Sequence, residues 1–350
     1  MRPVKAALWG FGAMGSGIAK VLLERKGIEI VGACDTDPAK AGRSIYKLLE
    51  TPRGDRPDAL ITSDIDSLLQ MKPLDICIIA TNSFVKEVYP KIEKAVKNSV
   101  NVLTIAEEMA WPWAQEPELS DKMDKLAKEH GVTILGTGIN PGMMMDLLAV
   151  FLSGCMTRVE HVECERVNSL SPFGKAVMVE QGIGITHQVF EQGVADGSLA
   201  GHVGFAESAG MIASALHFNI DQFNQQMKPI ITDVERKSPH GYAAKGQVAG
   251  VNMTAQAGNI LEEKISLLHP QQIEPQLAGV QTGDYVRLRG TPPVSMAIRP
   301  EVDGGLGTVA MACNMLPFVV AAKPGLKSML DMPVPRCVMG DYRDIAFGGE

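Results

Sequence analysis

The sequence predicts an α/β protein in which a doubly wound parallel sheet is followed by a second α+β domain built on a mostly antiparallel sheet. Three observations support this prediction. The chain has 350 residues, more than a single hydrophobic core usually organises. Apolar runs alternate with amphipathic patterns over residues 1–140, and the pattern then changes to that of long alternating strands.

Residues 1–140 contain apolar runs separated by segments of helical periodicity. The expected strands are KAALWG, IEIVGACD, ICIIAT, NVLTIA and VTILGTG, and the expected helices are MGSGIAKVLLERKG, PAKAGRSIYKLL, VKEVYPKIEKAVKNS and ELSDKMDKLAKEHG. Strands that are apolar on both faces need helices on each side of their sheet. We therefore expect residues 1–140 to form a doubly wound parallel domain.

Residues 141–302 follow a different pattern. Apolar and polar residues alternate in VEHVECERVN, MKPIITDVERK, QVAGVNMTAQ and YVRLRG, as in an antiparallel sheet with one face open to solvent or to another subunit. We expect this domain to bind substrate and to form a homodimer. The stretch 308–331 is helical and rich in small residues, and we expect residues 303–350 to pack on the first domain.

Composition excludes several classes of function. The net charge of −7 and pI near 5.6 argue against nucleic acid as a partner, because phosphate backbones are bound by clustered basic residues. The apolar runs are too short or too interrupted to span a membrane, and no secretion signal is expected. The six cysteines are scattered and indicate reduced, mostly buried thiols of a cytoplasmic protein. The histidines show no metal-binding spacing, so no metal is expected.

A glycine motif follows the first strand and opens the first helix. It consists of Gly10, Phe11, Gly12, Ala13, Met14 and Gly15. The first glycine permits a tight turn, the second lets the backbone approach a pyrophosphate, and the third allows close contact between helix and strand. This context predicts a Rossmann domain with phosphates at the helix N-terminus.

The identity of the dinucleotide depends on residues after the second strand. Asp35 ends IEIVGACD, where a carboxylate accepts hydrogen bonds from the adenosine ribose and favours NAD. Lys40 and Arg43 follow on the next predicted helix, and either would neutralise a 2′-phosphate if it turned toward the ribose. NAD and NADP both remain candidate cofactors.

Polar residues and glycines also follow the later strands of the first domain. Ligands gather at the carboxyl ends of parallel strands, so we expect Thr81, Asn82 and Gly138 to contact the cofactor. Glu107 follows NVLTIA, and Asn140 follows VTILGTG. Asn140 could bind the substrate or cap the helix of MMMDLLAV.

Motifs along nearly the whole chain resemble those of one family. WGFGAMGSGIAK, CIIATNSF, TIAEEMAWPW, GTGINPGMMMD, ERVNSLSPFGK and GHVGFAESAGM are similar to the 2,4-diaminopentanoate dehydrogenases, which are related to the native amine dehydrogenases and to the wider dihydrodipicolinate reductase-like group. The resemblance implies NAD(P)-dependent oxidative deamination of 2,4-diaminopentanoate to 2-amino-4-oxopentanoate and ammonia, in ornithine degradation. The reverse reaction would be a reductive amination.

The same resemblance implies roles for individual residues. Glu107 would be the catalytic acid/base, and Glu108 would point elsewhere if the chain stayed extended. Arg166 and Asn168 alternate on one strand and so share a face, and the Arg166 guanidinium suits a substrate carboxylate. His202 and Asn140 would also contact the small amino acid or amine substrate.

Three other functions remain open at this point. An amine dehydrogenase acting on other ketones or keto acids would use the same residues. A cyclic-imine reductase would need a basic cluster for two carboxylates, which the sequence does not show. A non-catalytic NAD(P)-binding sensor would share only the fold.

Overall fold

The structure is a computed structural model that describes residues 1–348. The chain divides into two compact units. Unit 1 contains residues 1–143 and the described residues from Asp303 onward, and unit 2 contains Met144–Val302.

The N-terminal part of unit 1 alternates strands and helices. In chain order its elements are β1 (Val4–Trp9), α1 (Ala13–Leu22), β2 (Ile28–Cys34), α2 (Ile45–Leu48), β3 (Leu60–Thr62), α3 (Ile65–Leu69), β4 (Ile76–Ile79), α4 (Val85–Lys97), β5 (Asn101–Thr104), α5 (Pro117–His130) and β6 (Thr133–Gly136). Two short 3₁₀ helices, Glu107–Ala110 and Pro112–Ala114, follow β5.

Unit 2 combines long strands with four helices. Its elements are α6 (Leu147–Ser153), β7 (Arg158–Ser169), α7 (Lys175–Glu180), α8 (His187–Asp196), α9 (Phe205–Leu216), β8 (Gln222–Ile231), β9 (Arg236–Lys237), β10 (Tyr242–Ala243), β11 (Val248–Gly258), β12 (Glu263–Gln272), β13 (Gly283–Thr291) and β14 (Val294–Ile298). The chain then adds α10 (Gly304–Ala321), β15 (Gly325–Lys327) and α11 (Tyr342–Ala346) to unit 1.

Seven parallel strands form the sheet of unit 1, in the order β15-β6-β5-β4-β1-β2-β3. The chain builds outward from β1 to β3, and then from β4 in the opposite direction. The point of reversal lies between β1 and β4. Strands β4 and β6 are buried at every residue, as a sheet covered on both faces requires. The predicted doubly wound fold is confirmed.

One predicted helix of unit 1 is much shorter than expected. The segment PAKAGRSIYKLL is helical only over α2, and the residues before it form turns. Gly42 has φ +74°, a left-handed conformation that interrupts a helix. Lys40 therefore lies in a turn after β2, and Arg43 lies in the irregular chain that follows it, so neither is on a helix.

The sheet of unit 2 has the order β14-β13-β7-β12-β11-β8. Only the β7–β12 pair is parallel, and the other pairs are antiparallel, so the predicted mostly antiparallel sheet is confirmed. Helices α6, α8 and α9 contact strands of this sheet. On its inner face lie buried side chains such as Val162 and Ile265, whereas the opposite, outer face carries half-exposed polar residues such as Glu163 and Ser266.

Helix α10 is long and apolar enough to cross a membrane by length and composition. Ten of its 18 residues are nevertheless buried. Tyr342 of α11 donates a hydrogen bond to the Cys313 carbonyl of α10 at 2.9 Å, and Gly17 of α1 leaves room for Val309. Burial within unit 1 accounts for the apolar composition of this helix.

All six cysteines are free thiols. Cys34, Cys77, Cys164 and Cys313 are buried, whereas Cys155 in unit 2 and Cys337 in unit 1 are exposed. Burial raises the pKa of the Cys77 and Cys313 thiols to about 12. The buried thiols therefore stay protonated and unreactive at neutral pH.

We predict that Gly136→Ala destabilises unit 1. A Cβ at Gly136 would overlap the carbonyl carbon and oxygen of Met109, so the 3₁₀ helix beside β6 would have to shift at a cost of about 1–3 kcal/mol. Denaturant unfolding followed by tryptophan fluorescence measures this effect. Gly340→Ala is the matched control because its Cβ would meet nothing within 4 Å. Equal stability of the two variants would contradict the prediction.

Candidate active site

The candidate nucleotide site lies where the strand order of unit 1 reverses. A cavity of about 380 Å³ opens there, and its lining residues are Trp9, Gly10, Gly12, Cys34, Asp35, Thr36, Ala80, Thr81, Asn82 and Lys91. These residues follow or end β1, β2 and β4, apart from Lys91, which lies on α4. Ligands of doubly wound sheets bind at this position.

The three glycines of the motif have different surroundings. Gly10 has φ +100°, and a Cβ there would overlap the Ala80 carbonyl oxygen. A Cβ at Gly15 would overlap the carbonyl oxygen of Gly10. A Cβ at Gly12 would meet no protein atom within 4 Å. The open space at Gly12, at the start of α1, fits a pyrophosphate that the backbone approaches closely.

The other residues of the motif support the loop. Helix α1 begins at Ala13, so Ala13 and Met14 form its first turn. Phe11 is buried, and its amide donates a hydrogen bond to Asp35 Oδ2 at 2.8 Å. The Phe11 amide thus joins the glycine loop to the end of β2.

Asp35 receives hydrogen bonds from three directions. Oδ2 accepts from the Phe11 amide and, at 3.2 Å, from Lys40 Nζ, while Oδ1 accepts from the Asp37 amide at 2.9 Å. Burial by itself would raise the pKa of Asp35, but these hydrogen bonds and the Lys40 charge lower it below its ordinary value. The carboxylate is therefore ionised and anchored. Arg43 is exposed and does not line the cavity.

Thr81 and Asn82 line the cavity at the end of β4, and their contact with the cofactor stays a prediction. Asn82 Oδ1 accepts a hydrogen bond from Lys91 Nζ. Burial lowers the pKa of Lys91. Sequence reasoning missed Lys91 because it lies nine residues further along, where α4 folds back beside the end of β4.

Glu107 and Glu108 begin the 3₁₀ helix that follows β5. The Glu108 carboxylate accepts a hydrogen bond from the Val85 amide at 2.7 Å and so holds the start of α4. Burial raises the pKa of Glu108, against the opposing effect of that amide. Glu108 thus has a structural partner, whereas the catalytic role of Glu107 stays a prediction.

Gly138 and Asn140 lie in the loop after β6. A Cβ at Gly138 would lie 2.9 Å from the Pro141 carbonyl oxygen, so this loop is tightly folded. The alternative role for Asn140 as a helix cap is wrong. Helix α6 begins at Leu147, and Asp146 caps it by accepting from the Leu147 amide at 2.6 Å.

Arg166 in unit 2 is bound to protein groups. Its side chain is 3% exposed, and its guanidinium pairs with Asp284 Oδ1 at 2.5 Å. It also donates to the Val302 carbonyl, and the Val302 amide donates to Asp284 Oδ2 at 2.8 Å. Burial raises the pKa of Asp284, while the Arg166 charge acts to lower it. The geometry therefore gives Arg166 a structural partner that the sequence analysis did not foresee.

Asn168 and His202 meet at a third residue, His269. Asn168 Oδ1 lies 2.9 Å from His269 Nε2, and the rings of His202 and His269 are 4.7 Å apart. His202 is half-buried as a residue, but its ring packs edge-on against Phe205 and His269. Burial of this ring and the nearby Arg166 lower the pKa of His202 to about 3. Burial, His202 and Arg166 lower the pKa of His269 as well, so both imidazoles are neutral at physiological pH.

Two buried polar atoms of β12 have no hydrogen-bond partner among residues 1–348. They are His269 Nδ1 and Gln271 Nε2. Because the Asn168 oxygen only accepts, His269 Nε2 carries the proton, and Nδ1 presents a lone pair. Buried polar groups without partners are costly. An acceptor and an amide donor on one strand face therefore fit a polar ligand.

Sequence reasoning missed His269 and Gln271, although a signal was present. SLLHPQQ continues the alternation of β12, and its polar residues occupy inward positions where apolar residues are usual. Gln271 is the register partner of Asn168 across the parallel pair β7–β12. Within the part of the chain that the structure describes, no three His, Cys, Asp or Glu side chains form a group that would hold a metal ion.

Comparisons with known proteins place the chain among dehydrogenases. A family model described as the 2,4-diaminopentanoate dehydrogenase C-terminal domain matches residues 143–347. The chain is 50% identical to the 2,4-diaminopentanoate dehydrogenase of Acetoanaerobium sticklandii over 346 residues, which cover 99% of this chain and 98% of that protein.

Two solved structures share the fold. The amine dehydrogenase of Mycobacterium smegmatis has a TM-score of 0.83 at 24% identity, over 96% of this chain and 98% of its own. GenD2 from gentamicin A biosynthesis, solved in complex with NAD, has a TM-score of 0.59 at 14% identity, over 100% of this chain and 96% of its own.

We predict that Gly12→Ala weakens nucleotide binding without destabilising the fold. The added methyl group enters space that the protein leaves open, so the thermal midpoint should stay unchanged while the Kd for NADH or NADPH rises about tenfold or more. Gly15→Ala is the contrasting variant, because its Cβ overlaps the Gly10 carbonyl and should lower the thermal midpoint. Unchanged nucleotide affinity in Gly12→Ala would refute this assignment.

We also predict that Arg166→Met destabilises unit 2 by about 3–5 kcal/mol, because it leaves the Asp284 carboxylate buried without its cation. Denaturant unfolding followed by circular dichroism measures the loss. The double variant Arg166→Met/Asp284→Asn should recover most of it, since Asn keeps an oxygen for the Val302 amide. A single variant as stable as the parent would show that the ion pair is not structural.

Proposed function

Because this chain belongs to the 2,4-diaminopentanoate dehydrogenase family, we propose that it catalyses the NAD(P)-dependent oxidative deamination of 2,4-diaminopentanoate to 2-amino-4-oxopentanoate. The family relationship extends over both units, and this observation carries the proposal. In this proposal, the end of the parallel sheet in unit 1 would bind the dinucleotide, and polar groups on the inner face of unit 2 would bind the substrate.

The proposed reaction balances as follows. The substrate ammonium, NAD(P)⁺ and water give the ketone, ammonium, NAD(P)H and one proton. The C4–H bond breaks as its electron pair leaves with the hydrogen, and the C4–N bond breaks after water has added. The reverse reaction is a reductive amination of the ketone.

The cofactor is a nicotinamide dinucleotide, and its ring accepts the hydride when it is bound. The glycine loop and the start of α1 would hold the pyrophosphate. Asp35 and Lys40, at the end of β2, would face the adenosine ribose. Thr81 and Asn82 are cofactor contacts in this proposal because they line the same cavity.

Glu107 is the proposed acid/base. A carboxylate at this position would take a proton from the substrate ammonium, so that the nitrogen lone pair can assist the loss of hydride from C4. Its negative charge would also stabilise the iminium and orient the attacking water. The placement of Glu107 after β5, at the same edge of the sheet as the nucleotide cavity, supports this role.

The proposed site for the amino acid end of the substrate is formed by the His269 cluster, which consists of Asn168, His202, His269 and Gln271. Both imidazoles are neutral and therefore add no charge to the site. The Gln271 amide would donate to a carboxylate oxygen, and the His269 Nδ1 lone pair would accept from an ammonium. Arg166 would act on this cluster through its charge, while it stays paired with Asp284.

The main alternative is an amine dehydrogenase that acts on simple amines or on other ketones. The buried atoms His269 Nδ1 and Gln271 Nε2 argue against an apolar substrate. Such a substrate would leave both atoms desolvated without hydrogen bonds, at a cost of about 1–3 kcal/mol each. A non-catalytic sensor would have no need for this cluster.

We further propose that the protein is a cytoplasmic homodimer that acts in ornithine degradation. The six free thiols are typical of a reducing compartment.

The outer face of the unit 2 sheet offers a broad, polar surface with charges of both signs, and Arg287 pairs there with Glu163 at 2.5 Å. Edge strand β8 is mostly exposed and offers unpaired backbone groups to a second copy. Sedimentation velocity would detect the dimer.

We predict that Glu107→Gln lowers kcat for 2,4-diaminopentanoate about 10²–10⁴-fold, because the amide cannot accept the ammonium proton. The absorbance of NAD(P)H measures turnover, and nucleotide fluorescence should show an unchanged Kd. Turnover near that of the parent would refute the acid/base role.

Two comparisons complete this test. Glu108→Gln is the matched control, since it removes the neighbouring carboxylate and should retain most of the activity. A panel of simple alkylamines tests the substrate class. Higher kcat/KM for an alkylamine than for the diamino acid would favour the alternative function.

A further inference from the structure

Both carboxylate oxygens of Asp35 accept hydrogen bonds from the protein. Oδ2 already accepts from the Phe11 amide at 2.8 Å and from Lys40 Nζ at 3.2 Å. Oδ1 accepts from the Asp37 amide at 2.9 Å. A carboxylate that excludes a 2′-phosphate does so by its uncompensated negative charge and by binding both ribose hydroxyls. Asp35 has neither a free charge nor two free oxygens.

Lys40 is fixed in place by the same contacts. Its ammonium donates to the Phe11 carbonyl at 3.1 Å as well as to Asp35 Oδ2. An ammonium has three N–H donors, so one remains beyond these two hydrogen bonds. The Lys40 side chain is 26% exposed, which leaves its charge accessible at the end of β2.

A second carboxylate, that of Asp37, lies close to the Lys40 ammonium. Asp37 Oδ2 lies 3.8 Å from Lys40 Nζ, and the Asp37 side chain is 45% exposed. Asp37 therefore competes for the same ammonium from the solvent side. Arg43 is exposed, and its backbone carbonyl accepts from the Ile61 amide.

We propose that Lys40, rather than Asp35, determines nucleotide preference: by neutralising Asp35 and offering a donor beside it, Lys40 allows the site to bind NADP as well as NAD. Asp37 weakens this effect because it draws on the same charge. The inference rests on the nucleotide site of the proposed function and is independent of the substrate.

Titration of the full-length protein with NADH and with NADPH tests the proposal, with nucleotide fluorescence as the readout and no substrate present. The wild-type Kd values for the two nucleotides should agree within about tenfold. Lys40→Met should raise the Kd for NADPH about tenfold to hundredfold, the value of a charged hydrogen bond, while the Kd for NADH changes less than about threefold. Lys40→Arg should retain NADPH binding.

Asp37→Asn provides an opposite and independent test. Removing this competing carboxylate should lower the Kd for NADPH and leave the Kd for NADH nearly unchanged. Because Asp37→Asn keeps Lys40, it tests the proposal even if the Lys40→Met variant folds poorly. Lys47→Met is the matched control, because it removes one exposed positive charge from α2 without a contact to Asp35.

Three results would overturn the proposal. The first is a wild-type protein that does not bind NADPH. The second is an equal rise in the Kd for NADH and the Kd for NADPH in Lys40→Met. The third is a rise in the Kd for NADPH alone in Arg43→Met that does not occur in Lys40→Met. None of these results depends on which amine the enzyme oxidises, so the proposed substrate and this inference can fail separately.

Discussion

Parallel pairing of all seven strands is the constraint on which the organisation of unit 1 depends. When every strand runs in the same direction, every carboxyl end reaches the same edge of the sheet. The glycine loop, Asp35, Thr81, Glu107 and Gly138 are far apart in sequence, but the order of β6, β5, β4, β1 and β2 brings their loops into one row. Glycines at the tightest approaches then let these loops pack closely.

Unit 2 meets a different requirement, because charged and polar side chains are buried on the inner face of its sheet and need hydrogen-bond partners there. Arg166 is acceptable there because Asp284 and the backbone of Val302 satisfy it. Burial, together with the smaller effect of the Arg166 charge, lowers the pKa of the nearby His202 and His269 and keeps both rings neutral. In a neutral imidazole one ring nitrogen donates a hydrogen bond and the other accepts one. Arg166 thus contributes to the chemistry of the His269 cluster through its charge, while its hydrogen bonds go to Asp284 and Val302.

The sequence predicted those features that depend on local pattern. The strand, glycine turn and helix around Gly10 follow each other directly, so periodicity and spacing were sufficient. Strand β3 and helix α3 escaped prediction because they are only three and five residues long. The overestimate of α2 came from treating Gly42 as an ordinary helical residue. The contacts that His269 and Asp284 make with β7 could not be inferred, because they arise from pairing over more than 100 residues. The role of Arg166 illustrates the same limit, since its partner is fixed by the register of β13.

The distribution of the thiols has a practical consequence. Four of the six cysteines are buried. Each unit has one exposed cysteine, Cys155 in unit 2 and Cys337 in unit 1. Maleimide dyes react with accessible thiolates. The unmodified chain therefore carries one attachment point for a thiol-reactive dye on each unit, so that either unit could be labelled without any engineered residue.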